Sequence, residues 1–148
     1  MRDLRNVLLV VLPILAVFAA VTICCAIYSG IDDAYAQWGA ADMAIGYMES
    51  HDGNWPPDWE ALRPKFEAGG GRVGGWSFEK FQQHVVIDFN ANANELRRQS
   101  IQSERVPFDV IHSRSTLGAV MGEGPNATLH DYFRKRAGIV EATPRTGP

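Results

Sequence analysis

The chain predicts an α+β fold: a long N-terminal helix, a membrane span continuing into an amphipathic half, packed on a small antiparallel sheet with short helices. Three observations carry this. Val7 to Tyr28 holds no charged side chain and is almost wholly apolar. Beyond it, Ala34, Trp38, Ala41, Ile45 and Met48 follow one another at steps of four and three, the spacing of a helix face. Two short runs, His84 to Asn90 and Val106 to His112, then read as strands.

The apolar run comes first. About 20 residues at about 1.5 Å each cross the roughly 30 Å hydrocarbon layer of a bilayer. Its Val, Leu, Ile and Phe residues together favour insertion by on the order of 4 to 8 kcal/mol, before Pro13 and Thr22 are subtracted. Pro13 removes one backbone hydrogen bond, which membrane helices tolerate. A soluble core helix is the competing explanation, but such a helix keeps a polar stripe and this run has none. Arg2 and Arg5 precede the run, and no Lys or Arg follows it until Arg63, so the positive-inside bias puts the N-terminus in the cytoplasm and the remainder outside. Cys24 and Cys25 are the only cysteines and lie within the run, so no disulfide staples the rest. Neither follows the small residue that a lipid-attachment site resembles, and both read as small apolar side chains. Ala34-Tyr35-Ala36 fits a signal-peptidase pattern, but the apolar run is longer than a signal peptide's, which favours a retained anchor over release after Ala36.

The chain has 148 residues and a net charge of −3. It divides into residues 1–30 (cytoplasmic end and span), 31–138 (an outer α+β domain that includes the helix extension) and 139–148 (a disordered tail). The part after residue 30 carries 12 basic and 16 acidic residues, a balance unsuited to nucleic acid, whose phosphates need a basic face. Ile31 to Glu60 holds 7 acids and no Lys or Arg, and is either a solvated acidic face or a partner for the more basic remainder.

The first helix is expected from about Arg5 to Ser50, with Gly39 and Gly46 each costing it about 1 kcal/mol relative to Ala. Tyr28, Tyr35 and Trp38 fall where rings favour the membrane interface. His51-Asp52-Gly53-Asn54 has turn chemistry. Asp58 or Pro57 opens a short helix from Trp59 to Phe66, stopped near Pro64, with Trp55, Trp59 and Leu62 free to pack on the first helix. Ala68 to Gly75 is a glycine-rich loop without the Lys-Ser/Thr ending of a phosphate loop. Ser77 caps a turn from Phe78 to Gln83. In the first strand Val85, Ile87 and Phe89 share one side. Asn94 is expected to cap Glu95 to Ser100. In the second strand Pro107 suggests an edge, and Leu117 to Met121 suits a third. Asn126 is expected to cap a last helix, Ala127 to Ala137, with Arg134, Lys135 and Arg136 favourably placed against its dipole and Gly138 ending it.

Chemistry is sparse. His51, His84, His112 and His130 lack a second ligand at metal spacing, so no metal or other cofactor is expected. No nucleophile-elbow pattern surrounds Ser100, Ser113 or Ser115. Asp88 and Asp109 are open to reading as a facing carboxylate pair or as hydrated surface groups. Asn126-Ala127-Thr128 matches a glycosylation acceptor, meaningful only in a eukaryotic secretory route. Candidate binding residues are Trp38 and Ile45 on the first helix, and Trp55 and Trp59 after it, where tryptophans serve either as a sugar-stacking platform or as aromatic anchors of a small core.

The basic N-terminus, the apolar helix running into an amphipathic one, Asn54-Trp55-Pro56-Pro57, the short helix Trp59-Glu60-Ala61-Leu62 and a small sheet together resemble bacterial type IV pilins and type II secretion pseudopilins. The resemblance is architectural and covers the first 66 or so residues. It implies a helix packed on an antiparallel sheet and assembly through the apolar helix. No Gly-Phe-Thr-Leu-Ile-Glu processing site is present, and Val11 and Leu12 stand where the family has its early glutamate, which suits a pilin-like protein that stays unprocessed. The chain is therefore expected to be a single-pass, non-catalytic subunit of the bacterial inner membrane, touching lipid and either another membrane protein or its own copies. A wall-carbohydrate-binding domain using Trp55, Trp59 and Trp76 is the alternative, and an envelope hydrolase the third.

Overall fold

A computed structural model describes residues 2–115 and 123–139. The predicted long helix, α1, runs unbroken through Pro13 from Arg2 to Ser50. Its two halves live in different surroundings. From Val11 to Ile23 the large apolar side chains are 43–73% exposed, so none of them belongs to the protein's own core. This is one helix long and apolar enough to cross a membrane, by length and composition. From Ala34 to Met48 the same helix is the spine of a packed body: Ala34, Ala36, Ala40, Ala41, Met43, Ala44 and Met48 are all buried.

The buried face is not centred where the large side chains suggested. Trp38 and Ile45 are only half-buried and flank it, whereas Gln37, Ala40, Ala44 and Met48 lie along its middle. Alanine carries little weight in a hydrophobicity pattern, yet its small size is what lets neighbouring backbone close onto a helix. The extreme case is Gly39, where an added Cβ would fall inside 3 Å of the backbone of Gly71.

Around this spine the chain winds through short elements. At the top, the Gly53 amide donates to the Met48 carbonyl at 2.8 Å, with Asp52 and Gly53 at positive φ. Helix α2 spans Trp59–Lys65, with the Asp58 carboxylate accepting from the Ala61 amide at 2.9 Å. Pro64 does not stop α2. It lies inside the helix, which then loosens into one π-helical turn, Phe66–Gly70. Proline forfeits only one donor, the one that would reach the Glu60 carbonyl in the first turn of α2. The glycine-rich stretch is thus partly ordered turn, turning at Gly69 with φ 91°.

Helix α3, Phe78–His84, is capped by Ser77, whose hydroxyl accepts from the Lys80 amide. Strands β1, Val85–Ile87, and β2, Ile111–Ser113, pair antiparallel with Val85 opposite Ser113 and Ile87 opposite Ile111. Both are shorter than expected, since His84 ends a helix and Val106 to Val110 is not part of a strand. The Asp88 amide donates to the Val110 carbonyl, which puts Asp88 level with Val110 rather than with Asp109, so the two carboxylates do not form a facing pair. The proposed third strand, Leu117 to Met121, lies outside the described residues, as does the tail after Ile139.

Helix α4, Ala93–Gln102, begins two residues earlier than expected. Its cap is Asn92, whose side-chain oxygen accepts from the Asn94 and Glu95 amides. Helix α5, Gly124–Arg136, begins at a Gly-Pro step and already includes Asn126 in its first turn. Asn126 does not cap it. Its Oδ1 accepts from the Val110 and Ile111 amides, and its Nδ2 donates to the Ile111 carbonyl and the Asp109 carboxylate, all between 2.8 and 3.1 Å. The amide does what a neighbouring strand would do for the edge of β2. Asn126→Ala removes all four bonds and is expected to destabilise the body by about 2–3 kcal/mol, taking a net of roughly 0.5–1.5 per bond with partial rehydration. A urea titration followed by tryptophan fluorescence measures it. The same engagement leaves this asparagine no free amide for a glycan.

Helix α5 also closes the end of α4. Arg134 donates to the Ser100 and Ser103 carbonyls, and the ring of buried His130 bonds the Ser103 carbonyl at 3.1 Å. These are the carbonyls that a helix C-terminus leaves unpaired, met by a cation that suits the dipole. Phe81, Leu62, Ile111, Leu129 and Phe133 fill the space between these elements and α1.

Candidate functional site at the foot of the body

Where α1 leaves its bare half and enters the body, the packed face includes a carboxylate. Asp33 is 3% exposed, one helical turn before buried Gln37, whose amide donates back to the Asp33 carbonyl. A carboxylate at such a position needs partners, because burying it unpaired is costly. It has two. His84 at the end of α3 brings Nδ1 to 2.6 Å from Oδ1, and the Ser113 hydroxyl at the end of β2 donates to Oδ2 at 3.2 Å. The three elements meet here because β1 follows α3 directly and pairs with β2, so Val85 opposite Ser113 brings His84 and Ser113 to the same end of the ladder.

With Nδ1 facing the carboxylate, the ring is held in one orientation. The Trp76 ring lies on it at 4.3 Å between centroids, and Lys80 Nζ stands 4.3 Å over the Trp76 ring. The Arg114 amide donates to the His84 carbonyl at 3.1 Å, fixing the chain just after β2 at the same level. The arrangement differs from a hydrolytic triad. Serine and histidine both bond the carboxylate, and the serine is not bonded to the imidazole, so the three are not linked in the order of that triad. Among the described residues no group of three or more His, Cys, Asp or Glu side chains is placed to hold a metal. The geometry fastens α1, α3 and β2 together at one point.

A hollow of about 430 Å³ adjoins this cluster, with Gln37, Phe108, Ile111, Ser113 and Pro125 in its wall. The acidic stretch after the apolar run makes an ion pair at a second place, Asp42 with Arg72. Higher up, Arg63 holds the Glu60 carboxyl below the usual carboxylate range through their hydrogen bonds. Glu79 is likewise lowered, by its own backbone amide first, then by Ser77 and Arg63.

The tryptophans singled out from sequence sit elsewhere. Trp55 is 9% exposed and its indole donates to the Asp88 carbonyl at 2.9 Å. Trp59 meets Phe78, Phe81 and Phe89 edge-on at 5.4–6.1 Å. Both rings are parts of the core. Trp38 packs edge-on with exposed Tyr35 at 5.9 Å, and Ile45 packs beside the core from the rim of the α1 face. The structure thus separates the four into a core pair and a pair on the outer flank of α1. The sequence reading missed Asp33, His84 and Ser113. Their one early signal was an acidic residue on the same face as Gln37, Ala40 and Ala44.

Comparison with protein-family models, with curated proteins and with solved structures gives no match for this chain.

Proposed function

We propose that this protein is a single-pass, membrane-anchored and non-catalytic subunit of the bacterial cell envelope, pilin-like in build, which holds a small body outside the membrane and works through protein–protein contacts. The observation that carries the reading is the division of α1: bare apolar side chains below, core of the body above, with no break between. A span joined to its body by a continuous helix has no free linker, so whatever binds the span also fixes the body's orientation. The N-terminal flank, with Arg2 and Arg5, supports a cytoplasmic start.

Retention of the span is supported by what cleavage after Ala36 would remove. Ala34 and Ala36 are buried, and Asp33 holds His84 and Ser113. A mature chain starting at Gln37 would lose all of these. Full-length mass in the membrane fraction after alkaline carbonate extraction is the expected result. Recovery of the body in the soluble fraction, starting at Gln37, overturns the anchor.

The surface for contacts is the outer flank of α1. Tyr35 and half-buried Trp38 and Ile45 lie there above the span, and Pro13, Ile14, Val17, Phe18 and Val21 surround an apolar hollow of about 440 Å³ within it. Photo-cross-linking from Trp38 or Ile45 in the native membrane is expected to capture a second membrane protein or another copy. Capture of lipid alone overturns the assembly role and leaves the anchor standing.

A further inference from the structure

The foot of the body has a depth that follows from helix geometry. Tyr28 ends the apolar run, and Asp33 stands five residues above it on a continuous α-helix, about 7.5 Å along the axis at 1.5 Å per residue. A bilayer's polar layer adds about 5–7 Å beyond the hydrocarbon on each side. Asp33 fixes His84 and Ser113 at its own level, and through them Trp76 and Arg114. If the span lies in lipid, this end of the body stands at the outer edge of the headgroup layer. The inference therefore rests on the membrane reading above.

The residues at that level have the chemistry of a membrane interface. Trp76 is half-buried, an amphipathic ring of the kind that favours the headgroup layer. Lys80 and Arg114 are both exposed. Of the acids nearby, Asp33 is buried under His84 and Ser113, Glu79 is exposed but engaged with Arg63, Glu67 lines a hollow with Trp76 and Arg72, and Asp32 is the exposed acid of α1 at this height. A body with an acidic excess overall thus carries exposed basic side chains and a tryptophan at its foot. We propose that Trp76, Lys80 and Arg114 form a headgroup-binding rim that seats the body on anionic phospholipid.

The cation–π contact favours an ammonium beside the indole, modestly at an exposed site. Phosphate oxygens of a lipid approaching the ring edge would meet Lys80 there, with the Arg114 guanidinium available from the end of β2. Basic side chains at an anionic surface contribute about a factor of five in association each.

Competitive fluorescence quenching of the full chain in vesicles tests this. Lipids brominated in the acyl chain next to the glycerol, with either phosphatidylglycerol or phosphatidylcholine headgroups, report which lipid sits beside a tryptophan. Subtracting the signal of Trp76→Phe isolates Trp76. The expected result is quenching of Trp76 with a preference for phosphatidylglycerol of about five-fold or more, falling to none in Lys80→Ala/Arg114→Ala. Urea titration of that double variant checks that the body is intact. A tryptophan placed by Leu15→Trp in the Trp76→Phe chain is the depth control. If that tryptophan is quenched while Trp76 shows no headgroup preference, or keeps it in the double variant, the rim is overturned and the anchor survives. Loss of the preference on adding inorganic phosphate would assign the site to free phosphate and overturn the lipid assignment. An unquenched tryptophan at position 15 overturns the membrane reading itself, and the rim with it.

Discussion

Gly39→Ala is expected to destabilise the body by about 3 kcal/mol, although helix propensity alone predicts a gain of about 1 kcal/mol from removing a mid-helix glycine. The sign is reversed by one close approach. The backbone of Gly71 crosses α1 so tightly that a Cβ on residue 39 would overlap its O, C and Cα atoms. Backbone is a poor thing to displace here. Arg72, the next residue, is tied to Asp42 one turn further along α1, and Gly71 itself lies against the Phe66 ring. Overpacking of this kind costs on the order of 1–3 kcal/mol, and the upper end applies because no flexible side chain can yield. Gly46 supplies the internal control. A Cβ there would meet only the Lys65 side chain, at 3.6 Å, an ordinary contact. Gly46→Ala is therefore expected to stabilise by roughly 0.5–1 kcal/mol. Urea titrations of both variants in detergent, followed by fluorescence of the 4 tryptophans, all beyond the apolar run, measure the two effects side by side. Equal stabilisation by both would mean that Gly71 does not lie where the structure puts it.

His84→Ala is expected to cost about 3 kcal/mol, because it takes the nearer of two partners from a carboxylate that is 3% exposed and leaves only the Ser113 hydroxyl. Asp33→Ala should cost less, about 2–3 kcal/mol, since it removes the buried charge and leaves only His84 and Ser113 without their acceptor. The double variant should then be less destabilised than the sum of the two by more than about 1 kcal/mol, the mark of residues that act as one unit. Additive losses would show that the pair contributes nothing by its contact. Asp33→Asn separates charge from hydrogen bonding, because its carbonyl oxygen can still accept from the ring. This cluster is also the point at which the foot of the body is fastened to α1. Its loss should loosen the Trp76 end before the top, and hydrogen exchange at β2 ahead of α4 would report that order.

Much of this molecule could be read from residues close together in the chain. The apolar run, the turn at Asp52-Gly53, the caps at Asp58 and Ser77 and the basic last turn of α5 all depend on interactions within a few residues, so composition and spacing encode them directly. Where the reading slipped, a local rule had been overruled. Asn126 suited a cap, but the edge of β2 offered it four bonds. Pro64 suited a stop, but a single missing donor did not end the helix, which runs on to Lys65 and then into a π turn. Trp38 and Ile45 suited the centre of a packed stripe, but the alanines beside them let backbone come nearer. Trp55 and Trp59 were legible as core anchors or as a platform, and only their partners, the Asp88 carbonyl and a ring of phenylalanines, show them to be core.

By itself the sequence determined that a long apolar helix begins the chain, that it continues beyond lipid length, and that a small α+β body follows without disulfides or a metal-ligand pattern. The tertiary structure alone decided which face of that helix is covered and what is brought against it. Asp33 meets His84 across 51 residues and Ser113 across 80, and Gly39 meets Gly71 across 32. The reason is physical. A carboxylate, an imidazole and a hydroxyl attract one another only at hydrogen-bond distance, and a glycine differs from an alanine only when something comes within reach of the missing Cβ. Neither condition exists until the chain has folded.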